Sequence, residues 1–408
     1  MEYSILTNET AIKYALSEPS IAGFLDSTEL ECNEIGDGNL NQVFIIKTKT
    51  EPFRSIILKQ ALPYLRCVGE TYPLGRDRMR YEIRSLRKFS EVCPEHTPII
   101  YHSNEDMSLI AMQNLDSHVI MRKGIADGVK YPLVAEHISD FLAKTLFFTS
   151  SFALESADKR KLEARFLGNA ELCKLTEDFV FTLPFMEHET NRHDALIDEQ
   201  VKAVRADGEF KRAVMRLKNR FMNFPEALIH GDLHTGSIML NEKETFVIDS
   251  EFAFFGPIGF DVGAIFGNLL MGYAASKALG KYEYAGWLLE TAQHLLELFA
   301  LKFKKLLREQ GGGASFGEAS FWEEIDMDIF IDEYISGLMQ DSAGFAGCKM
   351  MRRQMGIAHI LEIDSIEDEK VRAEASREVI AMARRLVVGY SRVSRPKDVV
   401  KLAVGEMI

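Results

Sequence analysis

Apolar positions in the first third of the chain occur mostly in short runs typical of strands, whereas later in the chain they recur mostly at helical spacing. Short apolar and β-branched runs bounded by polar turns are typical of strands. Such runs occur at residues 35–47, which we expect to form a hairpin, and at residues 56–59 and 109–112. Residues 76–89 differ, because apolar side chains recur there at helical spacing, which predicts a helix with one apolar face. These side chains are Met79, Ile83, Leu86 and Phe89.

After Met271 the apolar spacing is almost wholly helical. It predicts helices at residues 282–307, 321–339, 345–362 and 367–388, followed by a C-terminal stretch from Arg395 that frays. A polar, glycine-containing break near residues 114–127 marks the expected boundary between two lobes. It precedes a helix that begins near Pro132, since proline suits a first helical turn. The expected fold class is therefore α/β (α+β), with a small domain at residues 1–115 and a larger, mainly helical domain at residues 116–408.

A polar loop interrupts the apolar pattern in the middle of the chain. Residues 230–237, with the sequence HGDLHTGS, lie between two short apolar runs, and Asp249-Ser250-Glu251 follows a β-branched run. Side chains two positions apart on an extended strand share a face. We therefore expect Asp249 and Glu251 to present both carboxylates to one side, with Ser250 facing away.

An acidic pair of this kind suits a hard cation. Mg²⁺ binds through one or two carboxylates, substrate phosphates and water. We predict that Asp249 and Glu251 are Mg²⁺ ligands in an ATP site. In phosphoryl transfer, an aspartate on a nearby loop accepts or orients the proton of the attacking hydroxyl, and Asp232 is the candidate for that role.

Two other interpretations of the central loop stay open on the residues alone. The HGDLH sequence is also compatible with an ordinary polar turn. It is compatible as well with a metallohydrolase in which His230, Asp232 and His234 bind the metal. Such a site needs further ligand clusters, and elsewhere only His188 and His193 lie even moderately close together in the sequence.

The first third of the chain contains candidate nucleotide-binding residues. The predicted hairpin turn includes Asn39 and Asn41 and is rich in glycine and aspartate, a composition that can bring backbone N–H groups close to phosphates. Lys59 ends a strand in the manner of a phosphate-binding lysine, and Glu82 on the following helix is its predicted partner. The last predicted strand leads into a polar break whose backbone groups are candidates for contact with adenine. The break consists of Gln113, Asn114 and Leu115.

Several of these segments together resemble the 5-methylthioribose kinase family, over nearly the whole chain. The segments are residues 36–41, 68–74, 230–237, 249–261 and 347–353. This family is one of the small-molecule kinases with a protein-kinase-like fold, which also include aminoglycoside phosphotransferases and choline kinases. The resemblance implies a bilobal kinase fold, with a small antiparallel-sheet N-lobe and a larger helical C-lobe. It also implies ATP- and Mg²⁺-dependent phosphorylation of the 1-hydroxyl of methylthioribose in methionine salvage, by a homodimer.

Two adjacent arginines near the end of the chain take their interpretation from the resemblance. A pair of arginines on a helix is usually solvated, and adjacent helical residues point about 100° apart. In the family, such a pair lies beside the sugar and the transferring phosphate. The resemblance therefore implies that Arg352 and Arg353 bind substrate and stabilise developing charge.

At two positions the chain departs from what we expect of its relatives. Most of the wider set has an asparagine metal ligand where Ser237 stands, and serine there resembles the methylthioribose kinases themselves. Ser250 replaces an expected proline between the two acidic residues. We expect little chemical effect from Ser250, only a somewhat less rigid strand.

Other substrates and an inactive protein of the same fold are the remaining alternatives. A kinase of aminoglycosides, choline or homoserine would share the ATP site. Polycationic antibiotics require acidic side chains around their site, and the arginine pair argues against them. The presence of Asp232, Asp249, Glu251 and Lys59 together argues against a catalytically inactive binding protein.

Net charge, cysteine content and hydrophobicity limit the binding partners and the cellular compartment that we expect for this protein. The net charge of −13, from 48 basic and 61 acidic residues, argues against a nucleic-acid partner. Five scattered cysteines without a C-x-x-C pair are typical of a reduced, cytoplasmic protein. No signal segment is expected. The most apolar long window, residues 262–275, is too short to span a bilayer, so we expect no membrane partner.

Overall fold

A computed structural model describes residues 3–35, 41–65, 69–310 and 324–408. The chain divides into two compact units. The first comprises Met1–His118 and Phe246–Ala253, and the second comprises Val119–Thr245 and Phe254–Ile408. The division into residues 1–115 and 116–408 stays a prediction. The sequence did not predict that Phe246–Ala253, which contains Asp249 and Glu251, groups with the first unit.

The first unit is built on a five-stranded antiparallel sheet. Its elements are α1 (Asn8–Ser17), α2 (Pro19–Leu25), β1 (Leu30–Ile35), β2 (Asn41–Thr48), β3 (Ser55–Ala61), β4 (Tyr64–Leu65), β5 (Gly69–Pro73), α3 (Arg78–Val92), β6 (Ile100–Asn104) and β7 (Leu109–Gln113). The strand order is β1-β2-β3-β7-β6, and each neighbouring pair is antiparallel. The predicted hairpin is confirmed in its strands, where Ile35 pairs with Val43. Its turn, including Asn39, lies outside the described residues.

The two faces of this sheet are covered by different helices. One apolar cluster joins α1 and α2 to side chains of β2, β3 and β7, among them Phe44 and Leu58. A second cluster joins the apolar side of α3, including Met79 and Ile83, to Ile110 of β7. Because successive strand side chains alternate between faces, Lys59 lies on the side opposite to Leu58.

The helix predicted at residues 76–89 is confirmed, since α3 spans Arg78–Val92 and its predicted apolar side packs on the sheet.

The second unit is mainly helical. Its elements are β8 (Val119–Ile120), α4 (Met121–Ala126), α5 (Val134–Phe148), α6 (Ser156–Ala164), α7 (Ala170–Phe179), α8 (Asp198–Ala206), α9 (Gly208–Asn223), β9 (Ala227–Ile229), β10 (Ile238–Leu240), β11 (Thr245–Val247), β12 (Phe254–Gly256), α10 (Ile258–Ala278), α11 (Tyr282–Gln310), α12 (Glu324–Met355), α13 (Leu361–Asp364), α14 (Glu369–Gly389) and α15 (Pro396–Val404). Strand β11 ends in the short segment that belongs to the first unit. The predicted combination of a small antiparallel sheet and a large helical part is confirmed.

Helix α10 is a core helix. The apolar stretch is longer than the predicted window of residues 262–275: it forms a helix of 21 residues, long enough by length and composition to cross a membrane. Its burial identifies α10 as a core helix, since 94% of its most apolar window is covered by protein. A side-chain carbon on Gly263 would lie 2.9 Å from the backbone nitrogen of Ala346. Glycine therefore lets α10 and α12 approach closely.

The break predicted between residues 339 and 345 is wrong, because α12 continues through this polar stretch. One tertiary contact and one bond within the helix satisfy its polar side chains. Asp341 accepts from Arg220 Nε of α9 at 2.7 Å, and Ser342 Oγ donates to the Leu338 carbonyl of α12 itself at 2.7 Å. The partner from α9 helps to override the local helix-breaking preference of this stretch.

The predicted fraying from Arg395 is also wrong. Pro396 opens α15, and Asp398 accepts hydrogen bonds from the backbone N–H and the guanidinium of Arg395. Val399 and Leu402 are buried. A satisfied first turn and an apolar face therefore keep the end of the chain helical.

Candidate active site

Lys59 lies at the centre of a buried acidic cluster in the first unit. Its Nζ is 2.7 Å from Glu82 Oε1 and also contacts Asp249 Oδ1. Burial alone lowers the pKa of Lys59, but the carboxylates of Asp249 and Glu82 outweigh that effect and raise it. The ammonium is therefore charged throughout the ordinary pH range. The pairing of Lys59 with Glu82 is the one that the order of elements suggested.

The acidic segment is a turn, and the prediction that it is an extended strand end is wrong. Strand β11 ends at Val247, and Asp249 has a φ of 69°. Aspartate tolerates this left-handed conformation better than most residues do, and such positions cluster at functional sites. The turn brings carboxylate oxygens of Glu82, Asp249 and Glu251 to within 4.8 Å of one another. The two acidic residues therefore converge by a different backbone route from the one predicted.

Glu251 is held by two polar side chains of the first unit. Asn41 Nδ2 donates to Glu251 Oε2 at 3.0 Å, and Arg78 Nε lies 3.3 Å from the same oxygen. Arg78 Nε also donates to Asn41 Oδ1 at 3.2 Å. Burial, and then the charge of Asp249, raise the pKa of Glu251. A nearby cation would therefore favour the ionised form of this carboxyl.

Ser250 anchors the acidic turn, and the prediction that its replacement of proline has little chemical effect stays a prediction. Its side chain is fully buried, and its Oγ lies 2.7 Å from Ser85 Oγ. Ser85 Oγ also donates to the Ser250 carbonyl at 3.2 Å. Ser85 lies on α3 three positions after Glu82. These bonds therefore fix the acidic turn to the helix that supplies the third carboxylate.

The loop with Asp232 connects two short strands of the second unit, β9 and β10. Gly231 has a φ of 83°, a conformation that glycine adopts without strain. The carboxylate of Asp261, in the first turn of α10, accepts from the backbone N–H groups of His230 at 2.6 Å and Gly231 at 3.1 Å. Helix α10 thus holds the loop backbone in place just before Asp232.

Asp232 is surrounded by cations. Lys349 Nζ donates to Asp232 Oδ1 at 2.8 Å, and Arg352 Nη2 lies 3.6 Å from the same oxygen. Burial alone would raise the pKa of Asp232, but the neighbouring cations, of which Lys349 has the largest effect, hold it well below its ordinary value. The carboxylate is therefore ionised at neutral pH and can accept a proton or a hydroxyl hydrogen bond.

Lys349 is a site residue that sequence reasoning missed. It lies three residues before Arg352 on α12 and is buried against Asp232 and the ring of Phe260. Burial, opposed by Asp232, lowers the pKa of Lys349 to about 8. Its spacing from Arg352 places both residues on one side of the helix, and that spacing was the available signal.

Comparison with known proteins identifies the family. Residues 31–294 match the phosphotransferase enzyme family. Methylthioribose kinase 1 of Oryza sativa subsp. japonica is 40% identical over 397 residues, which cover 94% of this chain and 91% of that protein. Methylthioribose kinase of Geobacillus kaustophilus (strain HTA426) is 39% identical over 389 residues, 94% of each chain. The chain belongs to the methylthioribose kinase family.

Among solved structures, a choline kinase from Cryptosporidium parvum Iowa II aligns with 92% of this chain and 94% of its own, at 14% identity and a TM-score of 0.48. The family membership confirms the predicted resemblance, the phosphotransferase class and the kinase-like fold.

The two arginines of this methylthioribose kinase family member differ in their surroundings. Arg352 faces Asp232, whereas Arg353 Nη1 donates to the His359 carbonyl at 3.1 Å. Arg353 also lines a cavity of about 480 Å³ with Gln354 and Ile360. Both arginine side chains are largely buried, so the ordinary interpretation of such a pair as solvated surface does not apply.

Ser237 is engaged within the loop. Its Oγ accepts from the His234 backbone N–H at 2.9 Å and lies 3.2 Å from the Asp232 carbonyl, to which it donates. Ser237, at the position where the wider set of kinases is expected to have asparagine, therefore stabilises the loop that presents Asp232.

The loop histidines do not resemble a metal site. Nδ1 of His230 accepts from the Asp232 N–H at 3.3 Å, and Nδ1 of His234 accepts from the Gly236 N–H at 3.0 Å. Burial lowers the pKa of His234 to about 3, which leaves its imidazole neutral. The potential metal cluster found among the described residues is the carboxylate group around Lys59. The metallohydrolase alternative is therefore not supported.

The residues predicted to contact adenine lie at the end of β7. The Gln113 N–H donates to the Ile99 carbonyl at 2.8 Å, and Asn114 Nδ2 donates to Ser55 Oγ at 3.0 Å. Leu115 is buried. Their contact with adenine stays a prediction, as does the nucleotide role of Asn41.

Proposed function

We propose that this protein transfers the γ-phosphoryl group of Mg·ATP to the 1-hydroxyl of methylthioribose and forms methylthioribose 1-phosphate in methionine salvage. The observation that carries the proposal is the 2.8 Å contact of Asp232 with the buried Lys349, in a chain that matches methylthioribose kinases over nearly its full length.

On the nucleotide side, we assign the phosphates to Lys59 and the metal to Asp249 and Glu251. Three converging carboxylates beside a lysine fit Mg²⁺, because this ion prefers oxygen ligands and shares them with substrate phosphates. Bound there, Mg²⁺ neutralises charge on the phosphates. Glu82 positions Lys59 through their 2.7 Å contact. Asn41 and Arg78 orient Glu251.

On the acceptor side, Asp232 orients the 1-hydroxyl and accepts its proton as the bond to phosphorus forms. Lys349 and Arg352 keep Asp232 ionised before the acceptor binds. Both cations also favour the negative charge that develops on the transferring group. The same cations oppose polycationic aminoglycosides and choline, because a second positive charge beside them is repelled.

The proposed activity is tested by an ATP-consumption assay with methylthioribose, ribose, choline, homoserine and kanamycin. We expect Mg-dependent release of ADP with methylthioribose, and a product whose phosphorus resonance couples to the anomeric proton. Turnover of another compound in preference, or phosphate on a different hydroxyl, would contradict the assignment.

Replacement of Glu251 tests the metal assignment. Loss of one carboxylate ligand in Glu251→Gln should raise the Mg²⁺ concentration for half-maximal rate by about tenfold or more. Glu31→Gln, on the exposed side of β1, is the matched control. An unchanged Mg²⁺ requirement in Glu251→Gln would remove Glu251 from the ligand set.

We further propose a cytoplasmic location and a homodimer. The scattered cysteines and the burial of α10 support the first, and the family resemblance supports the second. Sedimentation at several protein concentrations tests the dimer.

A further inference from the structure

The surroundings of Asp232 contain more positive than negative charge. Lys349, Arg352 and Arg353 lie on the last turns of α12, and Arg122 of α4 lies near the same group. The neighbouring carboxylates are Asp232, Glu362 and Asp261, the last of which interacts with Lys349. Four cations therefore face three carboxylates, an excess of one positive charge in a largely buried place. Methylthioribose is neutral and cannot balance it, so the excess requires another anion.

Arg122 is fixed against the loop that presents Asp232. Its backbone N–H donates to the Thr235 carbonyl at 2.9 Å. A side-chain carbon on Gly236 would lie 3.0 Å from Arg122 Cζ and 3.1 Å from its Nη2. The absence of a side chain at Gly236 therefore leaves the space that the guanidinium of Arg122 occupies.

The guanidinium groups near Asp232 have buried donors without partners. In the part of the chain that the structure describes, Arg122 Nε, Arg122 Nη2 and Arg352 Nε are covered from solvent and make no hydrogen bond. An unsatisfied buried donor is costly, and a charged one more so. Arg352 lies beside Asp232, and Arg122 lies near Arg352. Two neighbouring guanidiniums with unpaired donors are typical of a site that accepts several oxygens of one anion.

We propose that Arg122 is a phosphate-binding residue of the acceptor side, and that it acts with Arg352 on the phosphate group of the sugar phosphate product. This proposal deepens the proposed function and rests on it for the identity of the sugar. The chemistry is recognition of a dianionic phosphate by two planar guanidiniums. The unpaired N–H groups of Arg122 and Arg352 supply the hydrogen bonds. Arg122 binds the group after transfer and takes no proton.

The test measures binding of inorganic phosphate to the full-length protein without nucleotide, by calorimetry, together with competition by phosphate against methylthioribose. Arg122→Gln should weaken the phosphate binding that competes with the sugar by about tenfold or more. Arg122→Lys should be intermediate, because an ammonium lacks the planar fork. ATP affinity should stay unchanged in both variants.

Lys123→Gln is the matched control, since Lys123 is the exposed neighbour on the same short helix. Gly236→Ala is a second variant, because its added carbon would lie 2.9 Å from His234 Cε1 and 3.0 Å from Arg122 Cζ and so crowds the Arg122 guanidinium while the arginine remains. It should weaken phosphate binding in the same direction. Wild-type phosphate binding in Arg122→Gln, or in Gly236→Ala if the former does not fold, would overturn the proposal.

Failure of the proposed function gives a different result. If the protein phosphorylates another acceptor, phosphate binding still depends on Arg122 while methylthioribose no longer competes with it. That outcome rejects the sugar and supports the subsite. In the opposite outcome, phosphate competes only with ATP and binds all variants with equal affinity. That result rejects the phosphate subsite at Arg122, while turnover of methylthioribose is unaffected.

Discussion

Asp232→Asn should lower kcat by roughly 10² or more while ATP binding persists, since help from a general base is typically of that size. Asparagine keeps the shape of the side chain but cannot accept the proton of the acceptor hydroxyl. It also leaves Lys349 Nζ without the carboxylate that it contacts at 2.8 Å. Steady-state rates and nucleotide titration on the same preparation measure the two effects separately.

The control for this variant is Asp158→Asn. Asp158 is exposed, and its ion pair with Lys161 at 3.0 Å is a surface pair that contributes little. A rate for Asp232→Asn within a few-fold of wild type would remove Asp232 from the chemistry, provided that Asp158→Asn is also normal.

Lys349 should set the alkaline limit of activity. Its pKa is lowered to about 8, so its ammonium is present below that pH and is lost as the pH rises through it. We expect kcat/KM to fall above about pH 8 in the wild type. Lys349→Arg should keep its rate at higher pH, because a guanidinium stays protonated. Lys349→Met should be about tenfold slower or worse at neutral pH, since it loses a charge-assisted hydrogen bond to Asp232.

Lys349→Met should also move the acidic limb of the pH–rate profile upward. Lys349 has the largest lowering effect on the pKa of Asp232, so its removal raises that pKa and Asp232 becomes protonated at a higher pH. Lys211→Met, at an exposed position on α9, is the control and should leave both limbs unchanged. Identical pH profiles for wild type and Lys349→Arg would show that Lys349 is not the titrating group.

The parts of the site that could be predicted are those with a local signal. The polar loop at Asp232 stands out between two apolar runs. Lys59 and Glu82 follow from a strand and a helix whose periods are clear, and their 2.7 Å contact is present. The antiparallel sheet and the helical region follow from the same periodicities.

The parts that could not be predicted depend on partners far away in the sequence. Asp232 and Lys349 are 117 positions apart, and the spacing of Lys349 from Arg352 marks a shared helix side but not its contact with Asp232. The left-handed Asp249 ends a β-branched run that resembles any strand end. Helix α12 passes through polar residues because Arg220, on another helix, pairs with Asp341. Local preference was outweighed in each case by a contact that only the folded chain supplies.

The close approach at Gly263 has a consequence for heat tolerance. Helix α10 holds the loop of Asp232 through Asp261, and α12 supplies Lys349 and Arg352. These two helices meet backbone to backbone in the core. We therefore expect the segments that hold Asp232, Lys349 and Arg352 to open only together with the helical core, so that activity is lost on heating at the temperature at which the core melts.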